Sequence, residues 1–265
     1  MKIQPTLLKP SIPDNFLIKR LGRVKSTNEI ATARAIKGAK AGTVIVAHSQ
    51  SNGRGRRGSY WESKPGNIYA SIILRPNCNP LLASQASFVA SLAVWDTVKE
   101  QLPKQIPVFC KWPNDILIMN KKVSGILLET HTTNFKLADP IVDWLVVGVG
   151  INLITYPKLS DQNRYEATSL LEVTGNILDR DNTISNFLKM FYNHLYDWHH
   201  FGFPHIRNLW LKRTYNPGHP ITFESGTSRK SGIFLGIDQQ GGLKLRDAEG
   251  KSQLINAGDV TFINR

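Results

Sequence analysis

The sequence predicts an α/β domain followed by a small β-barrel, and three observations carry that expectation. The chain has 265 residues, of which 41% are hydrophobic, enough for one large core with a small appendage. As far as Arg213, short apolar strand-like runs alternate with segments of helical period. Beyond the breaker cluster Asn216-Pro217-Gly218 come five short strand-like pieces, around Ile221, Ile233, Leu243, Leu254 and Val260. Turns such as Gln240-Gly241-Gly242 separate them, a pattern that suits a barrel of about fifty residues. The expected division is 1–214 and 215–265.

Phe16 to Val24 alternates loosely and reads as a first strand. Ser26 with Glu29 three residues later is a capping box, opening a helix through about Lys37. Thr43 to His48 is a short apolar run, expected as a buried strand that leads into an arginine-rich loop. Asn67 to Leu74 resumes as a strand and stops near Arg75-Pro76. Leu81 to Leu102 has helical spacing, with Phe88, Leu92, Trp95 and Val98 on one face, and Pro103 ends it. Val108 to Lys111, Asp115 to Met119 and Lys122 to Thr130 follow as strands, the last two joined by a turn at Asn120-Lys121. Trp144 to Val149 is another buried strand. After a polar stretch with a short apolar piece at Ser169 to Val173, Phe187, Met190, Phe191, Leu195 and Trp198 mark an amphipathic helix. A shorter helix is expected over Ile206 to Arg213.

Composition narrows the class. Cys78 and Cys110 are the only cysteines, without CxxC or Cys/His spacing, which argues against a disulfide scaffold or structural zinc. The residues from Met1 to Pro13 lack the apolar stretch of a secretory signal. The run Ile141 to Ile154 is too short to span a bilayer and contains Asp143. These features predict a soluble, cytoplasmic protein with no membrane partner. The net charge of +13 favours acidic partners in general, but the basic residues are scattered and no nucleic-acid motif accompanies them.

Four dense segments carry the chemistry. Gln50-Ser-Asn-Gly-Arg-Gly-Arg-Arg-Gly58 places three arginines and three glycines within residues 53–58. Glycines let such a backbone bend around a ligand, and guanidinium forks suit phosphate and carboxylate oxygens. A solvated basic turn or a nucleic-acid arm would show the same composition. Lys111-Trp112-Pro113-Asn114-Asp115 groups a cation, an amide and a carboxylate around a stiff proline; a polar turn capped by Asn114 is the plainer alternative. In Lys121-Lys122-Val-Ser-Gly-Ile-Leu-Leu-Glu129, Lys122 stands at the mouth of an apolar strand, and Gly125 permits close approach. A surface lysine at a hairpin would look alike. Val147-Gly-Val-Gly-Ile-Asn152 alternates glycines in a buried strand, which suits a flat ligand or another backbone lying against it. Neither a dinucleotide fingerprint nor a P-loop occurs.

Together with Ser26-Thr27-Asn28, these segments resemble the biotin–protein ligase family, and the resemblance covers about residues 20 to 265. It implies a mixed β-sheet catalytic domain of the biotin/lipoate ligase type, α/β or α+β in class, with a C-terminal SH3-like barrel. It implies two steps: biotin's carboxylate attacks the α-phosphate of MgATP, and a lysine of a biotin carboxyl carrier protein then takes the biotinyl group from AMP. By family position, Ser26, Thr27 and Gln50 meet the ureido head of biotin, and Asn28 supports that turn. Gly53 and Gly55 let the loop fold over biotin and phosphate. Arg54, Arg56 and Lys122 form the clamp on carboxylate and phosphate, and Asp115 orients the ureido or the incoming amine. Gly125 and Gly150 line biotin's stem, while Lys111, Asn114 and Asn152 join Arg56 and Lys122 on the nucleotide side. Mg²⁺ is expected only through ATP, with no protein metal site. Some members carry a helix-turn-helix ahead of the ligase domain. Ser26-Thr27-Asn28 begins too early for one here, so the expectation is a monofunctional ligase, monomer or homodimer, that binds no nucleic acid. The rivals are a lipoate or octanoate ligase and a non-catalytic nucleic-acid-binding module.

Overall fold

The computed structural model describes residues 10–133, 140–158, 166–225 and 228–263. Seven strands, β1 (Leu17–Val24), β2 (Thr43–Gln50), β3 (Ile68–Leu74), β4 (Val108–Lys111), β5 (Asp115–Ile118), β6 (Lys121–Thr133) and β7 (Ile141–Ile151), form one sheet. Their order is β1-β2-β3-β7-β6-β5-β4. β1 and β2 pair in parallel and every other pair is antiparallel, so the sheet is mixed. The β1–β2 connection is the helix α1 (Thr27–Ile36), capped at Ser26, whose side chain accepts from Glu29 N.

The two faces of the sheet are covered unequally. On one face α2 (Pro80–Ser84), α3 (Ala86–Glu100) and α5 (Arg180–Leu211) pack into the large core, to which the short α4 (Leu170–Thr174) adds Leu170. On the other face α1 alone builds a small core, Ala31 and Ala35 against Ile45, Ile73, Trp144 and Val146. Past the N-terminus of α1 that face is open over Gly125 and Gly150, while Ser71 and Gly148 lie beneath Thr27 and Asn28 of its first turn. Over Pro80–Glu100 the chain is long and apolar enough to cross a membrane, with mean hydropathy 1.3. That apolarity belongs to the core: α3 is buried nearly all round because it lies between the sheet and α5.

The observed elements depart from expectation in three places. The single helix over Leu81 to Leu102 is two, α2 and α3, meeting at Gln85, where Asn79 caps the first turn through its side chain. The two C-terminal helices form one element, α5, broken where Gly202 takes φ 71° just before Pro204. The β5–β6 turn is Met119-Asn120 rather than Asn120-Lys121: both residues hold positive φ, 46° and 63°, and Ile118 pairs with Lys121. A two-residue turn of that hand requires positive φ at both central positions.

α5 ends at Leu211, and the second sheet begins at β8 (Pro220–Ser225) and continues through β9 (Ser228–Ile237), β10 (Leu243–Arg246), β11 (Ser252–Ile255) and β12 (Asp259–Phe262). Its five antiparallel strands, in the order β11-β10-β9-β8-β12, enclose Phe234, Ile237, Leu243, Leu245, Val260 and Phe262. This unit is fastened to the first. Trp112 Nε1 donates to Gly241 O at 2.9 Å, and Arg207 donates to the carbonyls of Ile237 and Asp238.

Candidate functional site

The open face of the sheet floors a cavity of about 740 Å³. Ser26, Thr27, Asn28, Gln50, Arg54, Gly55, Arg56, Lys111, Asn114, Asp115, Lys122, Gly125, Gly150 and Asn152 all line it. Of the residues singled out in the sequence, Gly53 alone stands back from the wall. It is buried, and a Cβ there would stand 2.2 Å from Trp61 O, so its place is in the folding of the loop.

That loop is a tight return. Gly55 N donates to Ser59 O (2.7 Å) and Trp61 N to Gly53 O (2.9 Å), while Arg54 and Tyr60 form an antiparallel bridge. At the tip a 3₁₀ turn spans Arg56–Gly58, with Arg57 at φ 52°. The return brings the Trp61 ring onto the glycine floor, where a Cβ on Gly150 would stand 2.5 Å from Trp61 Cε2 and one on Gly125 3.0 Å from Cζ3. Lys122 Nζ lies over the same ring, 5.4 Å from its centroid. The buried indole N–H of Trp61 has no hydrogen-bond acceptor among the described residues.

The first turn of α1 supplies one end of the cavity. Thr27 donates to Gln50 Oε1 from its backbone N (2.7 Å) and its hydroxyl (3.1 Å), and Gln50 Nε2 donates to Ser63 Oγ (2.9 Å). Asn28 Nδ2 donates to Glu129 Oε2 (2.8 Å), and the Arg54 guanidinium forms an ion pair with the same carboxylate at 2.8 Å.

The other end is a cluster of charges. Asp115 bridges Lys122, whose Nζ is 2.6 Å from Oδ1, and Lys111, whose Nζ is 3.1 Å from Oδ2. Burial acts to raise the Asp115 pKa, but the Lys122 and Lys111 ammoniums beside it outweigh burial and hold it down at about 2. Lys122 reaches this position through a bulge. Between Ile116 and Leu117 the β5–β6 register skips Val123, so that Leu117 pairs with Lys122 while Asp115 pairs with Gly125. An extra residue of this kind re-aims a side chain, which simple alternation along β6 does not anticipate. Asn114 is strapped to β6 from both sides, its Nδ2 donating to Ile126 O and its carbonyl accepting from Ile126 N. Asn152 is buried and donates to Thr168 O (3.0 Å).

Several contacts at the site were not apparent from the sequence. Arg56 donates to Asn114 Oδ1 (3.2 Å) and to Asp259 Oδ1 (3.1 Å), and Arg57 pairs with Asp259 Oδ2 (3.4 Å). Asp259 and Glu224, partners on adjacent strands β12 and β8, bring the C-terminal unit into the cavity wall. Asp259 lies 203 residues from Arg56 in sequence, Glu224 is nearly as remote, and no local pattern marks either. Glu129 ended a quoted motif, yet nothing in its spacing shows that it faces Arg54.

The arrangement sets fixed cations and a polar helix terminus around a floor without side chains. It suits a flat, elongated acid with a polar head, meeting a second anion at the charged end.

Comparison with known proteins gives the same direction. Residues 21–152 match the Biotin/lipoate A/B protein ligase family and residues 218–262 the Biotin protein ligase C terminal domain. The biotin–[acetyl-CoA-carboxylase] ligase of Paracoccus denitrificans is 36% identical over 244 residues, covering 91% of this chain and 99% of that protein. The bifunctional ligase/repressor BirA of Bacillus subtilis is 33% identical over 88% of this chain and 70% of its own length. Among solved structures, the Aquifex aeolicus biotin protein ligase in complex with biotin and ATP superposes with a TM-score of 0.75. It is 28% identical, covering 94% of this chain and 99% of that one.

Proposed function

The chain belongs to the biotin/lipoate A/B protein ligase family, and from that premise we propose that it is an ATP-dependent biotin–protein ligase whose reaction centre is the cavity described above. The observation that carries this reading is the convergence of Arg54, Arg56, Lys122 and Asp115, from three separate stretches of sequence, beside a floor made by Gly125 and Gly150.

In the first step a carboxylate oxygen of biotin attacks the α-phosphorus of ATP, a P–O bond to pyrophosphate breaks, and biotinyl-AMP forms. Two anions must meet, so the site must supply positive charge where they join. Arg54 and Arg56 offer planar donor forks, and Lys122 a point charge aimed by Asp115. Preorganised charge of this kind usually makes one of the largest contributions to such a step. In the second step the amine of an acceptor lysine attacks the anhydride carbonyl, AMP leaves, and the amine's proton passes to solvent.

Ser26, Thr27 and Gln50 hold the ureido head in this proposal, with Asn28 bracing the turn. The stem runs along the glycine strands beside the Trp61 ring, which itself rests on Gly125 and Gly150. Lys111, Asn114 and Asn152 support the nucleotide side. The donor set fits an anion rather than a bare cation, because the Asp115 carboxylate is held between two lysines; Mg²⁺ enters with ATP. No side chain need become acylated, since AMP carries the acyl group.

The acceptor we infer is a biotin carboxyl carrier protein, met in the cytoplasm by a ligase that is monomeric or dimeric. Residues 1–214 form the catalytic domain and 215–265 the C-terminal one. The test is incorporation of labelled biotin, against lipoate and octanoate, into purified carrier with MgATP. Biotin-dependent pyrophosphate release and labelling of one carrier lysine are expected. Preference for lipoate would move the protein to the other branch of the family, and salt-sensitive duplex binding without pyrophosphate release would end the ligase reading.

A further inference from the structure

We propose that Glu129 is a positioning residue that couples recognition of the ligand's head to the arginine clamp, an inference that rests on the biotin-ligase reading of the same site. Glu129 lies on β6 opposite Val146 of β7, beyond the Gly125–Gly150 and Leu127–Gly148 pairs. It therefore shares the open face with the glycine floor. Its side chain is 28% exposed and holds two groups from distant parts of the chain, Asn28 Nδ2 and the Arg54 guanidinium, each at 2.8 Å.

A carboxylate can only accept hydrogen bonds, and that fixes the side chains behind it as far as Thr27. Asn28 must turn its amide nitrogen to Glu129 and hence its oxygen to Ser71, whose hydroxyl donates to Asn28 Oδ1 at 2.5 Å. With its one hydrogen given to Asn28, Ser71 Oγ can only accept from Thr27 Oγ1, 2.8 Å away, which the Thr27 hydroxyl supplies when it turns from Gln50 to Ser71; the Thr27 backbone N–H donates to Gln50 Oε1 in either case. Gln50 must then point its nitrogen at Ser63, whose hydroxyl donates to Trp61 O. One chain of hydrogen bonds thus runs from Arg54, through the first turn of α1, to Trp61 on the returning arm of the same loop. Glu129 sets its direction as far as Thr27, and the Thr27 backbone N–H sets that of Gln50 and Ser63. The helix turn proposed to read the ureido head, held through Asn28, and the guanidinium proposed to meet the acid thus share one carboxylate. Glu129 engages one nitrogen of a five-donor fork, so the guanidinium can serve a second acid at the same time.

The variant Glu129→Gln keeps the volume but offers one acceptor and one donor where Asn28 and Arg54 both present donors. Arg54 Nη2 stands 2.8 Å from both carboxylate oxygens and Asn28 Nδ2 2.8 Å from Oε2, so an amide nitrogen in either position faces at least one of these donors, and a contact is lost. In biotin-dependent pyrophosphate release by the full chain, KM for biotin should rise about tenfold or more, the effect of losing a charge-assisted hydrogen bond. kcat at saturating biotin should fall as well, because Arg54 belongs to the clamp on the reacting acid, while KM for ATP should stay close to the parent value. Adding Asn28→Asp restores a matched set and should recover most of the loss. The amide introduced on β6 can then donate to the carboxylate introduced on α1 while accepting from Arg54. A merely structural role would show no such rescue. Trypsin cleavage of the ligand-free protein at Arg54 supplies a readout independent of biotin: faster in the single variant, restored in the double. An unchanged KM in Glu129→Gln, or a double variant no better than the single, would overturn the proposal, as would unaltered trypsin cleavage. If the parent protein released no pyrophosphate with biotin while cleavage followed the expected pattern, the ligase reading would fall and the Glu129–Arg54 hold would stand.

Discussion

Lys122 Nζ lies 2.6 Å from Asp115 Oδ1, and this contact decides where the site's compact cation points. The same carboxylate holds Lys111 at 3.1 Å, and both Asp115 and Lys111 are almost wholly withdrawn from solvent. Replacing Asp115 with Asn removes the carboxylate that both ammoniums share, and removal of one partner from a buried pair costs about 3–5 kcal/mol. Asp115→Asn should therefore lower the urea midpoint and slow adenylate formation together. The sign of the pH effect follows from the lowered pKa. The folded carboxyl titrates near 2, below its ordinary value of 3.8, so its stabilisation is complete above about pH 4–5 and fades as pH falls toward 2. An acid-unfolding curve for Asp115→Asn lacking this group's share of the slope is expected; a curve parallel to that of the parent protein would contradict the assignment.

Arg56→Ala removes a guanidinium that touches Asn114, Gly258 O and Asp259 from an otherwise exposed loop tip. Loop side chains contribute little to the core, so thermal unfolding should shift by only a few degrees. Biotin-dependent pyrophosphate release should drop by about 10²–10³-fold, the scale of losing one preorganised donor at a developing charge. Near-normal release would take Arg56 out of the clamp. A similar loss in Asp259→Ala would show that the C-terminal unit aims Arg56 rather than merely neutralising it.

Gly150→Ala tests the floor. Gly150 has ordinary strand geometry and pairs with Gly125 and Tyr69 on either side, so the substitution strains no backbone. Its one cost is the 2.5 Å approach to the Trp61 ring, which forces that ring and its loop upward. Overpacking of this kind costs about 1–3 kcal/mol. Biotin affinity measured by calorimetry should fall while the far-UV spectrum is unchanged. Pairing the substitution with Trp61→Ala relieves the clash; if affinity and loop protection then match Trp61→Ala alone, the clash is the cause. Undiminished affinity in Gly150→Ala would place the ligand elsewhere.

What the sequence disclosed, and what it withheld, divides by range. The Ser26–Glu29 capping box, Pro103 and Asn216-Pro217-Gly218 are local devices whose physics acts over a few residues, and each ends or begins an element where expected. The glycines and cations of the four motifs were legible because few folds place such residues in strands without a ligand. The division of Leu81 to Leu102 at Gln85 was hidden by uninterrupted apolar spacing; a helix buried on every side has no polar stripe to mark its turns. The bulge that skips Val123 depends on how β5 and β6 pair, and no feature of either strand alone fixes that register. Asp259 meets Arg56 only because Trp112 and Arg207 dock the second sheet on the first. Contacts of that range are set by the tertiary fold.

Away from the cavity, Asp96 joins α3 to α5 by accepting from His194 Nε2 at 2.6 Å and Arg213 Nη2 at 2.9 Å. Arg213 also lies over the Trp95 ring, 4.7 Å from its centroid, at the point where the chain leaves α5 for the C-terminal unit. Burial acts to raise the Asp96 pKa, but the hydrogen bond from His194 and the Arg213 charge prevail and lower it. A carboxyl lowered on folding stabilises the native state above its unfolded pKa and loses that effect as pH drops through the folded value. Asp96→Asn should therefore destabilise the protein by about 3–5 kcal/mol near neutrality, as expected when one member of a largely buried charged cluster is removed. The deficit should shrink on acidification, because the parent carboxyl then becomes neutral as well. None of these side chains lines the cavity, so KM for biotin and ATP should be unaltered at temperatures where the variant is folded. Urea titrations at pH 7 and at pH 3, beside steady-state kinetics at low temperature, separate the two effects. A variant with full stability but impaired kinetics would mean that the α3–α5 junction serves the reaction rather than the fold.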